Sequence, residues 1–337
     1  MTLFKALLLH IIAGILTSVS CTGFLKKNSG NQEDDNLYNN PVVSKSLPDP
    51  TIIKVGDTFY LYATEDTRNT PIFKSTNLTD WTFVGTAFTD QTRPTFEPKG
   101  GLWAPDINII NGKYVLYYSM SVWGGEETCG IGIAVADKPE GPFTDKGKLF
   151  CSNEIGVTNS IDPFYIDDDG RKFLFWGSFR GIYAIELSED GLSIKPNAEK
   201  LRIAGTAFEA VYIFKKDGFY YLFASIGSCC EGIKSTYQLV AGRSPSLLGH
   251  YVDKSGKKML DNGYNVVVGK NSRFVGNGHC SEIVQDNDGN DWIFYHGVDI
   301  DKPKGRVLLL DQVKWDKERW PYIENESPSL SAKKPKF

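Results

Sequence analysis

Four acidic residues open similar stretches of this 337-residue chain: Asp49, Asp106, Asp162 and Glu209. Their type suits general acid–base chemistry. Carboxyl groups brought into one cleft repel, so one stays ionised while another keeps its proton. The first can then activate a water and the second can protonate a leaving group. Pro50 and Pro163 directly follow Asp49 and Asp162, which biases both Asp residues toward extended backbone and is tolerated at a strand start. The competing reading is a set of acids that cap turns and satisfy loop N–H groups. Other reaction classes leave no trace: the chain has no Walker loop, no G-x-G-x-x-G after a strand, no H-E-x-x-H and no nucleophile elbow.

The elements that must position these acids are repeated. Segments starting at Asp49, Ala104 (APDINIINGKYVLYYS), Ile161 (IDPFYIDDDGRKFLFWGS), Phe208 (FEAVYIFKKDGFYYLFAS) and His279 (HCSEIVQDNDGNDWIFYHG) share one pattern. Each has a polar or acidic opening, an apolar strand, a turn containing Gly56, Gly112, Gly170, Gly218 or Gly289, and an aromatic strand. This reads as five β-hairpins. The openings at Asp49, Asp106, Asp162, Glu209 and Ser281 are 57, 56, 47 and 72 residues apart, room for one four-stranded blade of roughly 40–50 residues plus loops. The expectation is an all-β, five-bladed β-propeller over residues 41–325. In such a ring the innermost strands converge on an axial channel, which would bring residues distant in sequence to one mouth.

Composition narrows the partner. Sixteen Tyr, twenty Phe and seven Trp with thirty-three Gly favour short strands and tight turns. A formal charge of −4 argues against a nucleic-acid partner, which needs a basic surface, and fits a neutral ligand. The N-terminus reads as an export signal over residues 1–20: Lys5 precedes an apolar run from Ala6 to Leu16, too short to span a bilayer. Ser18-Val19-Ser20-Cys21 resembles a bacterial lipobox, with Ser18 where Leu is usual. Lipidation of Cys21 is therefore expected, with membrane contact only through that anchor, on an outer-membrane lipoprotein facing the periplasm or the cell exterior. A plain secretory signal is the alternative. Residues 21–40 read as a flexible tether and 326–337 as a polar tail. Of the other five Cys, the adjacent Cys229 and Cys230 cannot reach the usual disulfide geometry without strain, so Cys129, Cys151, Cys229, Cys230 and Cys280 all read mainly as buried structural residues.

Together these motifs resemble glycoside hydrolase family 43, across residues 47–322. The matching segments are PDPTIIKVGDTFYLYAT around Asp49, LWAPDI at 102–107, NSIDPFYI around Asp162 and FEAVYIFKKDGFYYLFAS around Glu209. The stretches 177–191, 225–256, 276–296 and 306–321 are similar to its arabinanase branch. Pro48 stands where a His is common there, Val211 where a Pro is usual, and Cys280 where an Asn is typical; the three carboxylates are retained. The resemblance implies a five-bladed propeller and an inverting glycosidase acting on arabinose-containing plant polysaccharide, either an endo-1,5-α-L-arabinanase or an α-L-arabinofuranosidase. Asp49 would be the general base, Glu209 the general acid, and Asp162 the residue that orients the acid and holds its pKa up. Inversion needs room for a water, hence base and acid roughly 6.5–9.5 Å apart.

The resemblance also implies that Arg306 pairs with Asp162, and that Trp103 offers a flat platform to a sugar ring. Asp106 would anchor its loop or a substrate hydroxyl, and Asn159 and Ser160 would bond sugar hydroxyls. The chemistry requires no cofactor. His279 is either a ligand, through waters, of a structural calcium ion on the propeller axis or a core histidine. Asp286–Gly289 and Asp167–Gly170 lack the spacing of a calcium loop and read as hairpin turns. A β-xylosidase or other furanosidase of the same fold, a non-catalytic carbohydrate-binding propeller and a protein-interaction propeller are the alternatives.

Overall fold

The computed structural model describes residues 35–337, so the export signal and Cys21 lie outside the described residues. Within them the only α-helix is the single turn Ser152–Ile155. The strands form a ring of five antiparallel blades, counted from the channel outward. Blade one comprises Thr51–Val55, Thr58–Tyr62, Pro71–Ser75 and Thr82–Thr86; blade two comprises Gly101–Ile110, Lys113–Ser121, Gly130–Ala136 and Thr144–Cys151. Blade three contains Phe164–Asp168, Arg171–Trp176, Ile182–Glu186 and Leu201–Ala204. Blade four contains Glu209–Lys216, Phe219–Ile226, Gln238–Ser244 and Asn265–Val268.

Blade five is assembled from both ends of the chain. Phe274–Cys280 and Val284–Gln285 pair with Asp291–Asp299, which pairs with Val307–Trp315, and the outermost strand is Val43–Ser46. A second clasp joins Leu37–Asn39 to Ser331–Lys333. These strands correct two expectations. The tether does not extend through residues 37–40, and the tail 326–337 is part of the fold. Asn40 ties the ends together: its Nδ2 donates to Leu310 O at 2.9 Å and Ser329 O at 3.0 Å, and its Oδ1 accepts from Leu310 N–H at 3.0 Å.

Strand alternation explains where the core sits. Leu116 and Tyr118 in the second strand of blade two pack toward Tyr60, Tyr62 and Ile72 of blade one. Their neighbours Val115 and Tyr117 point the other way, toward Leu174 and Trp176 of blade three. Both faces of each blade are thus buried between neighbours, and Phe294, Leu308 and Leu310 of blade five close the circle on Phe59 and Leu61. The hairpin turns are as expected. Asn111-Gly112, Asp169-Gly170 and Asp217-Gly218 each have two consecutive positive φ angles, the conformation that matches the twist of the flanking strands. The two acidic turns spend their carboxylates on their own backbone: Asp286 Oδ1 accepts from Asp288 and Asn290 N–H, and Asp167 Oδ1 from Gly170 N–H.

Candidate active site

Each inner strand opens through one non-glycine residue at positive φ: Asp49 (55°), Ala104 (40°), Asp162 (60°), Ala210 (58°) and His279 (47°). Such backbone costs of order 1–3 kcal/mol per residue and gathers at functional sites. Here it turns the chain over at the mouth of the channel. The strain is held by a repeated bond from the preceding blade. The N–H of Ala104 is taken by Thr64 Oγ1 at 2.7 Å, that of Asp162 by Ser119 Oγ at 2.9 Å, that of His279 by Ser225 Oγ at 2.8 Å and that of Asp49 by His296 Nδ1 at 3.2 Å. Blade three has Gly177 at the equivalent place and no side chain to offer. Asp162 Oδ2 takes the Ala210 N–H instead, at 3.2 Å, so the carboxylate braces the residue that follows Glu209.

The acids occupy three different phases of the repeat. Asp49 and Asp162 sit on the turned-over residue, Glu209 one position before it, and Asp106 two positions after it. Asp49, Asp162 and Glu209 meet in one cleft of about 340 Å³, lined also by Trp103, Trp123, Asn159, Tyr237, His279 and Arg306. A larger groove against the C-terminal segment contains none of these carboxylates. Asp106 is not in the cleft either. It is buried deeper in the ring, where its Oδ2 accepts from Asn108 Nδ2 and from Tyr165 N–H at 2.8 Å.

That contact belongs to a set of struts between blades. Thr51 Oγ1 accepts from Ile107 N–H, Tyr212 OH from Ile283 N–H, and Glu282 Oε2 from Ile52 N–H. Asp106, expected to anchor its loop or a substrate hydroxyl, here ties blade two to blade three. Burial pushes both Asp106 and Glu282 above the usual carboxyl range, and Glu282 adds its charge to the rise at Asp106.

Charge divides the three acids in the cleft. Burial opposes ionisation of Asp49, yet Arg306 and His279 hold its carboxyl well below the usual range. Arg306 Nη1 donates to its Oδ1 at 2.9 Å, Thr64 Oγ1 to its Oδ2 at 2.6 Å, and His279 Nδ1 lies 3.3 Å from Oδ1. Arg306 thus pairs with Asp49 and not with Asp162, because blade five closes against the first inner strand. His296 is neutral: burial, then the Arg306 charge, lowers its pKa to about 4. Asp162 is driven the other way. Burial carries it to about 7; His279 opposes the rise, and Glu209 and Asp49 add to it. Burial also raises Glu209, against hydrogen bonds from Ser178 and Tyr237 that favour its charged form. Ser178 Oγ donates to Glu209 Oε2 at 2.6 Å.

The remaining candidates divide. Trp103 lines the cleft beside Trp123, their ring centroids 5.6 Å apart, and Trp123 is 79% exposed. Asn159 lines it too, but its amide donates to Ser178 Oγ and O, one bond removed from Glu209. Ser160 is fully buried, accepting from Trp176 Nε1 and donating to Val157 O; it does not face a ligand. Sequence reasoning missed Thr64, Trp123, Ser178, Tyr237 and His296, and the bond joining Cys229 to Cys230. The hydroxyls had a signal: Thr64, Ser119 and Ser225 follow the aromatic run of the first, second and fourth hairpins at one position of the repeat.

An open cleft with one carboxylate held ionised and two held up, beside a half-buried and an exposed indole ring, has the make-up of an acid–base hydrolase of the carbohydrate-active propeller class. The sequence profile of glycosyl hydrolases family 43 matches residues 38–321, and the chain belongs to that family. It is a glycoside hydrolase, of a family whose chemistry needs no cofactor. It is 35% identical over 289 residues to an extracellular endo-alpha-(1->5)-L-arabinanase of Bacillus subtilis, covering 82% of this chain and 87% of that one. With an extracellular exo-alpha-(1->5)-L-arabinofuranosidase of Cellvibrio japonicus it shares 33% over 306 residues, covering 82% and 86%. The structure of a Cellvibrio cellulosa alpha-L-arabinanase complexed with arabinohexaose superposes with a TM-score of 0.76 at 32% identity, over 84% of this chain and 96% of the other.

Proposed function

We propose that the chain hydrolyses α-1,5-linked arabinofuranosyl bonds of plant arabinan with inversion at the anomeric carbon. Asp49, ionised, takes a proton from the attacking water as its oxygen bonds to that carbon. Glu209, protonated, gives its proton to the glycosidic oxygen as the carbon–oxygen bond breaks. Asp162 braces Ala210, the residue after Glu209, and Asn159 and Tyr237 hold the acid through Ser178 and directly. Arg306 and His279 keep Asp49 charged, and Trp103 with Trp123 supports a sugar ring. The observation that carries the reading is the opposed pKa directions of Asp49 and Glu209 across one cleft; the relatives' named activities supply the sugar. Incubation with linear and branched arabinan tests it. Oligosaccharides or arabinose released by the wild type and not by Glu209→Gln support it, whereas release by neither protein, or equally by both, sinks it.

We also propose export with a lipid anchor on Cys21. The extracellular relatives support export, and a mature mass carrying a diacylglyceryl group would establish the anchor; a free Cys21 thiol would exclude it. For the axial ion, His279 is suited to be a single protein ligand. Its Nδ1 faces Asp49, which leaves Nε2 of the neutral ring as the ligating nitrogen, so a bound ion would stand in for the imidazolium charge beside Asp49. Among the described residues no three His, Cys, Asp or Glu side chains form a cage, so waters would complete the shell of a calcium ion. Bound there, a cation would supply positive charge that steadies the surrounding carboxylates.

A further inference from the structure

We propose that the Cys229–Cys230 disulfide is an apolar wall of the sugar-binding cleft and a determinant of how tightly substrate is held; the identity of that substrate rests on the arabinan reading. The two residues line the same cleft as Asp49, Asp162 and Glu209. They sit in the loop between the second and third strands of blade four, the blade that carries Glu209. Cys230 is exposed and Cys229 half-buried, whereas Cys129, Cys151 and Cys280 are buried free thiols.

Stability does not explain this bond. A disulfide constrains the unfolded chain more the longer the loop it closes, and one between adjacent residues closes almost none. What it does is remove side-chain freedom and replace two weakly polar thiols by a fixed face of sulfur and methylene. Polarizable sulfur makes good dispersion contacts, and a contact already rigid loses little entropy when ligand binds. The loop carrying it is pinned at its neck. Ser228 N–H donates to Thr236 Oγ1, and the N–H groups of Thr236 and Tyr237 return to Ser228 O at 3.0 and 3.1 Å. Gly227, at φ 83°, packs so closely on Thr236 that a Cβ would meet its carbonyl oxygen at 2.6 Å. Trp103 and Trp123 enter the cleft from blade two, on the other side of blade three. The cleft therefore has aromatic surface from one blade and a disulfide face from another, both suited to the apolar faces of a furanose chain.

The test compares untreated wild type, wild type reduced with a phosphine, and the Cys229→Ser/Cys230→Ser double variant on linear α-1,5-arabinotriose to arabinohexaose. Among the described residues this is the only disulfide, so reduction there is specific, and intact mass should register the gain of two hydrogens. The expected result is a KM raised about three- to tenfold, a loss of roughly 0.7–1.4 kcal/mol in binding, with kcat within twofold and an unmoved pH profile. An unchanged KM in the reduced protein overturns the proposal, and so does a fall in kcat at constant KM, which would mean that the bond only steadies Tyr237 against Glu209. A mass without the two-hydrogen gain overturns it as well. If the double variant fails to fold, the reduced wild type decides. Absence of turnover by the untreated protein is seen first and rejects the arabinan reading, and this proposal with it.

Discussion

Glu209, the proposed acid, is tuned by hydroxyls as well as by burial, and that makes its pH behaviour predictable in sign. Ser178 and Tyr237 donate to the charged form of Glu209 and pull its pKa down against burial. In the proposed mechanism activity needs the protonated form, so it should fall as pH rises through the Glu209 pKa. Removing one donor should raise that pKa, and Ser178→Ala should move the alkaline limb of kcat/KM to higher pH. A limb that stays put, or moves down, would remove Glu209 from the acid's role. The acid limb, set by the depressed Asp49, should lie well below the ordinary carboxylate range. Glu209→Gln should cost about 10²- to 10⁴-fold in kcat on arabinan. Much of that loss should be absent on an aryl arabinofuranoside whose phenolate leaves without a proton. Equal loss on both substrates would assign the residue to another task.

At the scale of the strand, the ring of struts gives Asp106 its place. Asp106→Ala leaves the buried Tyr165 N–H without a partner, a penalty of about 1–3 kcal/mol. The thermal midpoint should therefore drop with kcat/KM nearly intact; the reverse pattern would restore Asp106 to the substrate site. Its neighbour Glu282 adds a pH dependence. Both folded-state pKa values lie above their unfolded values, so the unfolded chain releases protons first and wild-type stability declines as pH rises from the ordinary carboxyl range toward the raised values. Glu282→Gln should flatten that decline in melts taken across this range; an unaltered slope would show that the pair does not titrate there.

These same strands show what could be read beforehand. Hairpins and their glycine turns are written in local alternation, and all five were legible. The phase of each opening was not, because alternation repeats every two residues and cannot distinguish Asp106 from a residue two places earlier on the same face, roughly 6–7 Å along the strand. Pro50, Pro105 and Pro163 carried the missing register: aligned, they match Ala104 with Asp49 and Asp162. The partner of Arg306 was hidden for another reason. It depends on how the last blade closes against the first, and no local pattern encodes that.

The whole molecule is held shut by its two ends. The Asn40 side chain makes four hydrogen bonds, to Leu310 and Ser329, while buried. Asn40→Ala should lower the thermal midpoint by more than a surface substitution does, and removal of residues 329–337 should do so further, since it deletes the strand Ser331–Lys333. Both would leave the cleft residues in place; a truncated chain that melts like the wild type would show that the clasp is decorative.

That clasp also orders events in time. Val43 pairs with Leu308, so the earliest described strands have no partner until almost the whole chain has emerged. Until then the growing polypeptide is an open arc with a bare edge, and bringing such distant segments together is slow relative to forming the local hairpins. A chain threaded through a membrane one residue at a time would stay unfinished during passage and lock only on the far side. The circle is therefore compatible with transport as an unfolded thread, its ring completed when its first and last strands meet.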